Sequence, residues 1–180
     1  MGIPANSSDS SMVHQSIREF QQVGIMVTKY STRIGHAHLK VRNLASSVDF
    51  YTHFLGMHVT EQVSNRYVFL TGGNLHHEIA LQHVGAMAPT PPAESTGLYH
   101  IAFEVPDKRS FALAYRALTD AGIVVATVDH YISWAMYFDD PDGNGLEIYW
   151  DTRQEPGGRQ LWAGDNAPLD EANILAALDE

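Results

Sequence analysis

The sequence predicts an α+β fold built from two copies of one β-α-β-β-β module. Three observations carry that prediction. A strand signature opening on histidine occurs twice, as His36-Ala-His-Leu-Lys-Val41-Arg-Asn43 and as His100-Ile-Ala-Phe-Glu-Val105-Pro-Asp107. Each copy is followed by a helical pattern that stops at a glycine, Gly56 in one and Gly122 in the other. Three short β-like stretches then follow each helix in the same order. Internal repetition of this kind points to one supersecondary unit used twice.

Each element has a local reason. Leu39 with Val41, and Phe103 with Val105, alternate with their neighbours at period two, the signature of a strand. Asn43 and Asp107 carry the short side-chain oxygen that an N-cap needs. Val48, Phe50, Tyr51, Phe54 and Leu55 recur at helical spacing, as do Phe111, Tyr115 and Leu118, and a glycine just past the last periodic residue is a usual stop. The strands expected next are 57–62, 66–71 and 78–84 in the first copy and 123–129, 135–138 and 146–150 in the second. The last turns also correspond, Gly73-Asn74 with Gly143-Asn144. The proline-rich run at 88–93 reads as a linker. The expected division is an N-terminal arm (1–33), a first module (34–87), a linker (88–97), a second module (98–152) and a C-terminal tail with a short helix (153–180). Val13, Ile17 and Phe20 give the arm one apolar face, suited to packing on the sheet or on a second copy, so a homo-oligomer is expected. Two such units are expected to bring their free sheet faces together as a curved, barrel-like mixed sheet around a metal cavity.

Composition narrows the partners. With 11 Lys and Arg against 21 Asp and Glu, the net charge of −10 gives no general attraction to nucleic acid or to anionic membranes. The absence of cysteine excludes disulfides, thiolate nucleophiles, iron–sulfur clusters and Cys-ligated zinc. Any metal site must therefore use imidazole and carboxylate, and the chain has 10 histidines. The first residues carry neither the basic start nor the apolar core of a signal peptide, and no apolar run approaches the ~20 residues of a membrane span. A soluble cytoplasmic protein is expected.

His36 and His100 occupy the same place in the two repeats, so pseudo-symmetry should bring them together. Glu147 lies in the last strand of the second module between apolar Leu146 and Ile148, where a carboxylate is expensive unless paired or metal-bound. Two histidines and one carboxylate make a facial triad that leaves positions open on Fe(II). The bland alternative is two satisfied core histidines and a glutamate on an exposed strand face. For Tyr137 the bland alternative is a plain core aromatic with a wet hydroxyl.

The segments GHAHLKVRNLASSVDFY, GGNLHHEIAL, GLYHIAFEV and DHYISWAMYFDDPDGNGLEIYWD resemble the paired modules of the vicinal oxygen chelate (glyoxalase/bleomycin resistance/dioxygenase) superfamily, and within it the small two-module type I extradiol catechol dioxygenases. The tail segment PLDEANILAAL is weakly similar to their terminal segment. That resemblance implies an Fe(II)-dependent dioxygenase, with Mn(II) as the alternative ion, that inserts O2 into a small-molecule catechol and yields a ring-opened semialdehyde. It implies His36, His100 and Glu147 as metal ligands, His77 as the acid–base histidine, His130 as a second substrate-contacting histidine and Tyr137 as the active-site tyrosine. His130 and Tyr137 are only seven residues apart, shorter than in larger members. His77, expected in the last strand of the first module, should face the cavity, with His76 on the opposite, surface face. His38 is read as structural; Trp134, Phe69 and Tyr149 are candidates to line a ring pocket. Two rivals use the same fold: a glyoxalase-type metal isomerase and a metal-free small-molecule (antibiotic) binding protein. The isomerase wants a fourth carboxylate ligand in the first module, where the position matching Glu147 falls near Ala80 and Glu78 is the strand-phase alternative.

Overall fold

The computed structural model describes residues 30–179, and the architecture below is that of the unit beginning at Gly35. The amphipathic stretch at Val13, Ile17 and Phe20 lies outside the described residues. The first module runs β1 (Ala37–Val41), α1 (Leu44–Phe54), β2 (His58–Val63), β3 (Tyr67–Thr71) and β4 (Ile79–His83). The second runs β5 (Ile101–Glu104), α2 (Lys108–Asp120), β6 (Ala126–Asp129), β7 (Ser133–Asp139) and β8 (Gly145–Asp151). The chain ends with β9 (Ala167–Pro168), α3 (Glu171–Leu175) and a short 3-10 turn, Ala176–Leu178.

The helices begin and end where their sequence signals stand. The Asn43 side chain accepts from Ser46 N at 3.2 Å and that of Asp107 from Ser110 N at 2.7 Å, each relieving one orphan amide of the first turn. Gly56 and Gly122 follow the helix ends at φ of 63° and 75°, the left-handed region where a Cβ is penalised.

The strands form two sheets, ordered β1-β4-β3-β2 and β5-β8-β7-β6-β9. In each, the strand before the helix pairs in parallel with the last strand of the module, and the remaining pairs are antiparallel. The expected α+β fold of two βαβββ modules with mixed sheets is what is observed, and the two sheets are not closed. The physical reason is that, among the described residues, β1 and β5 each pair on one side only, with β4 and β8. Side-chain periodicity says which face of a strand is buried; it does not say whether two edges will share backbone hydrogen bonds.

A single core nevertheless spans both modules. Val41, Tyr51, Leu70 and Leu81 of the first belong to the same buried cluster as Phe111, Leu118, Met136 and Ile148 of the second. The join is reinforced by polar contacts at the β7–β8 loop. Arg42 Nε donates to Asp142 at 2.7 Å, and the buried Tyr51 hydroxyl donates to Asp140 at 3.1 Å. Asp140 also receives the backbone amides of Asp142 (2.8 Å) and Asn144 (2.9 Å) and the Asn144 side-chain amide (2.8 Å). A carboxylate this buried is tolerable only when so fully bonded. The Asp-Pro-Asp-Gly-Asn-Gly run is thus a preformed loop that docks one module on the other. At the C-terminus, Ile174 and Ala177 are buried, and α3 and the turn after it pack on α2. Among the described residues, no helix is long and apolar enough to cross a membrane.

Candidate metal centre and active site

Strand register shows what stands opposite what. In the first sheet His38 pairs with Ala80; in the second Ala102 pairs with Glu147. His36 and His100 correspond, each standing immediately before its strand, so His38 corresponds to Ala102 and Ala80 to Glu147. Both β4 and β8 are buried at three consecutive positions, Ile79-Ala80-Leu81 and Leu146-Glu147-Ile148, so Glu147 lies in a strand covered on both faces.

Glu147 is 8% exposed and spends its two oxygens on different partners. Oε2 lies 2.8 Å from His100 Nε2, and Oε1 accepts from the Tyr137 hydroxyl at 3.1 Å. Tyr137 is the residue directly across from Glu147 on β7. Burial, and then the adjacent carboxylate, push the Tyr137 hydroxyl well above the ordinary phenol range, so it keeps its proton at neutral pH. Among the described residues, His100 Nδ1 is buried with no hydrogen-bond partner. An orphaned ring nitrogen beside a buried carboxylate is a poor structural pair and an ordinary feature of functional sites. The pair also suits a divalent ion. Bonds of ~2.0–2.2 Å at right angles place two ligand atoms about 3 Å apart, close to the separation between His100 Nε2 and Glu147 Oε2.

His130 follows β6 in a tight turn closed by its amide to Ser133 O at 2.9 Å, with Tyr131 at φ 63°. Its Nε2 lies 2.8 Å from the Tyr137 hydroxyl, so the short spacing of seven residues still brings the two side chains together. His130, Tyr137, Glu147 and His100 therefore form one continuous polar chain.

His36 lies against His77. The ring centroids are 4.5 Å apart, and His77 packs on Phe69 at 4.9 Å. Among the described residues, no three His, Asp or Glu side chains gather as a metal-binding group, so His36 is not drawn in with His100 and Glu147. The expectation that His76 and His77 occupy opposite strand faces is corrected. β4 begins only at Ile79, so both histidines lie in the approach to it, where pleat alternation does not apply. Their Nδ1 atoms are 2.8 Å apart, and exposed His76 also contacts Glu61 at 3.1 Å. Partial burial and then the neighbouring imidazoles of His36, His76 and His38 hold His77 below the ordinary histidine value, which favours its neutral, proton-accepting form.

Of the other candidates, Glu78 caps its own hairpin, accepting from Gly72 N at 2.8 Å and Thr71 Oγ1 at 3.0 Å. Exposed His38 sits edge-on to Tyr67. Trp134 packs on Phe111 and Trp150 in the core, and Tyr149 donates to Glu104. Phe69 alone of the three proposed lining residues sits beside a site histidine. Sequence reasoning missed Asn166 and Trp162, which touch His130 from beyond the second module. Outside the repeat there is no pattern to flag them.

Gly145 ties the backbone to this geometry. A Cβ there would meet Tyr99 O at 2.3 Å, a backbone atom next to His100. Gly145→Ala is expected to destabilise the fold by about 1–3 kcal/mol, the usual range for overpacking. It should also move His100 off Glu147. A thermal melt and the ring ¹⁵N shifts of His100 measure both effects; an unchanged melt and unchanged shifts refute the expectation.

Comparison with known proteins agrees with this architecture. A family model described as Glyoxalase/Bleomycin resistance protein/Dioxygenase superfamily matches residues 33–148. A catechol-2,3-dioxygenase of Bacillus subtilis is 36% identical over 67% of this chain and 42% of its own length. A biphenyl-2,3-diol 1,2-dioxygenase of Rhodococcus globerulus is 32% identical over 69% of this chain and 66% of its own. Glutathione transferase FosA of Serratia marcescens is also 32% identical, over 64% of this chain and 79% of its own. The chain thus spans less than two thirds of either dioxygenase relative. A glyoxylase/bleomycin resistance protein/dioxygenase domain from Frankia sp. EAN1pec shares the fold with a TM-score of 0.58 at 22% identity, over 68% of this chain and 99% of that domain.

Proposed function

The chain belongs to the glyoxalase/bleomycin resistance protein/dioxygenase superfamily, and from that premise we propose that it is an Fe(II)-dependent extradiol dioxygenase acting on a catechol-type aromatic diol. The observation that carries the proposal is the contact of His100 with the buried Glu147, continued through Tyr137 to His130. His100 and Glu147 would hold the ion, and His36, the counterpart of His100, is the proposed third ligand. Mn(II) suits the same donor set. Ala80 supports the proposal from the other module, because a methyl group at the position matching Glu147 leaves ligand positions for diol and O2. The bonding of Glu78 within its own hairpin supports the three-ligand reading over the four-ligand isomerase.

When bound, the ion would act as a Lewis acid that acidifies a diol hydroxyl and brings diol and O2 together. The chain's own groups have separable roles. Neutral His77 would accept a hydroxyl proton and return it during ring opening, a task suited to imidazole. Tyr137, which keeps its proton, would donate a hydrogen bond to a substrate oxygen, and His130 would orient that hydroxyl. The apolar walls of β4 and β8 would limit water around these groups.

The test is anaerobic reconstitution with Fe(II), addition of a panel of catechols, and admission of air while absorbance and O2 are followed. A coloured ring-opened product formed with one O2 consumed per catechol supports the proposal. The FosA relative supplies the competing reading; glutathione consumption with no O2 uptake would decide for it.

A further inference from the structure

Donors and acceptors around His130 do not balance in every arrangement. Its Nδ1 lies 2.5 Å from Asn166 Oδ1 and its Nε2 2.8 Å from the Tyr137 hydroxyl. The side chain of Trp162 packs edge-on to His130, centroids 5.7 Å apart, and its indole Nε1 lies 3.0 Å from that same Asn166 Oδ1 and 2.8 Å from Asp165 O. An indole N–H only donates. Turning the Asn166 amide over would set its NH2 against the indole N–H, two donors face to face. The Asn166 oxygen is the atom placed between Trp162 and His130, and an oxygen there requires a proton on His130 Nδ1.

We propose that Asn166 and Trp162 are positioning residues that lock the proton of His130 on Nδ1, making Nε2, at the Tyr137 hydroxyl, the one ring nitrogen that exchanges protons. Asn166 immediately precedes β9, and the pairing of β9 with β6 brings this segment back beside the His130 turn. The Tyr137 proton has two acceptors in reach, Glu147 Oε1 and His130 Nε2. When Nε2 is bare it competes with Glu147 Oε1 for the tyrosine hydrogen bond. When Nε2 is protonated it donates to the tyrosine oxygen, and the tyrosine proton turns to Glu147. One proton gained or lost at Nε2 thus redirects the hydroxyl beside the carboxylate. A ring free to change tautomer would blur that response, because which nitrogen carries the proton is set by what the other one meets.

The inference rests on the dioxygenase reading only for its catalytic meaning; the tautomer is measured without metal or substrate. Two-bond ¹H–¹⁵N correlation spectra of the metal-free full chain, at a pH where the ring is neutral, report it directly, with His130→Gln to assign the resonance. Wild type should show a protonated Nδ1 and a bare Nε2. Asn166→Ala should shift His130 toward the Nε2–H form, whereas Asn166→Asp, which still presents an acceptor, should retain Nδ1–H. Unshifted signals from the other histidines report that the fold is kept. An Nε2–H tautomer in wild type overturns the proposal whether or not the variants fold, and so does an Asn166→Ala spectrum identical to wild type. If the tautomer is as stated but no catechol is cleaved, the function is wrong and the positioning role stands.

Discussion

Glu147→Gln is expected to abolish catechol cleavage, with a loss of about a thousandfold or more, while the protein stays folded. Glutamine keeps the shape of the side chain and one of its two oxygens. His100 can change tautomer to face the new amide, and the Tyr137 hydroxyl can turn as acceptor or donor, so neither 2.8 Å nor 3.1 Å contact need be left as a clash. What disappears is the negative charge at a site 8% exposed to solvent, where nothing else among the described contacts supplies one. A Lewis-acid ion contributes several kcal/mol, and each 1.4 kcal/mol is about tenfold in rate. Iron stoichiometry after anaerobic loading, O2 uptake and a thermal melt separate the outcomes. Loss of iron and activity with a melt near wild type is expected. Full activity in the variant would remove Glu147 from the metal site. His36→Ala, measured beside it, asks about the ligand that the structure keeps with His77; undiminished iron binding there removes His36 from the set.

The legible part of this protein is whatever lies inside the repeat. The His36 and His100 signatures, the caps at Asn43 and Asp107 and the glycine stops are local signals, and the structure places strands and helices on them. Counting from the repeated turns puts the counterpart of Glu147 near Ala80, with Glu78 as the strand-phase alternative, and the strand registers make it Ala80. The less legible part depends on where an element begins and on how elements meet. His77, read as part of the last strand of the first module, lies two residues before that strand begins at Ile79, outside the pleat and against His76. Whether β1 and β5 share a sheet is a question of two edges meeting, and alternation along either strand is silent on it. The role of Asp140 was hidden for another reason. In a run of Asp, Pro, Gly and Asn every residue suits a turn, so composition does not reveal which aspartate goes inside. Asn166 and Trp162 are further from any pattern, because one asparagine and one tryptophan in a tail acquire meaning only from the ring they touch.

His77→Phe is expected to keep iron, keep substrate and lose about 10²–10⁴ in kcat, the usual worth of a positioned acid–base group. The substitution suits its surroundings. His77 already packs on Phe69 and His36 as an aromatic ring, at 4.9 Å and 4.5 Å, and among the described residues its side chain hydrogen-bonds to exposed His76. Stability should therefore change little, within the ~0.5 kcal/mol typical of surface positions. The contrast with Glu147→Gln makes the measurement informative. A ligand variant should fail at loading; an acid–base variant should load, bind the diol and then stall. Single-turnover kinetics on the anaerobic iron–catechol complex, started by mixing with oxygenated buffer, read the step directly, and iron content and diol affinity are measured on the same sample. If His77→Phe turns over within a few-fold of wild type, its proton is not needed, and the acid–base role passes to the His130–Tyr137 pair, which hydrogen-bonds to Glu147. If it loses iron instead, His77 acts through its contact with His36, and the first module then serves the metal rather than the substrate.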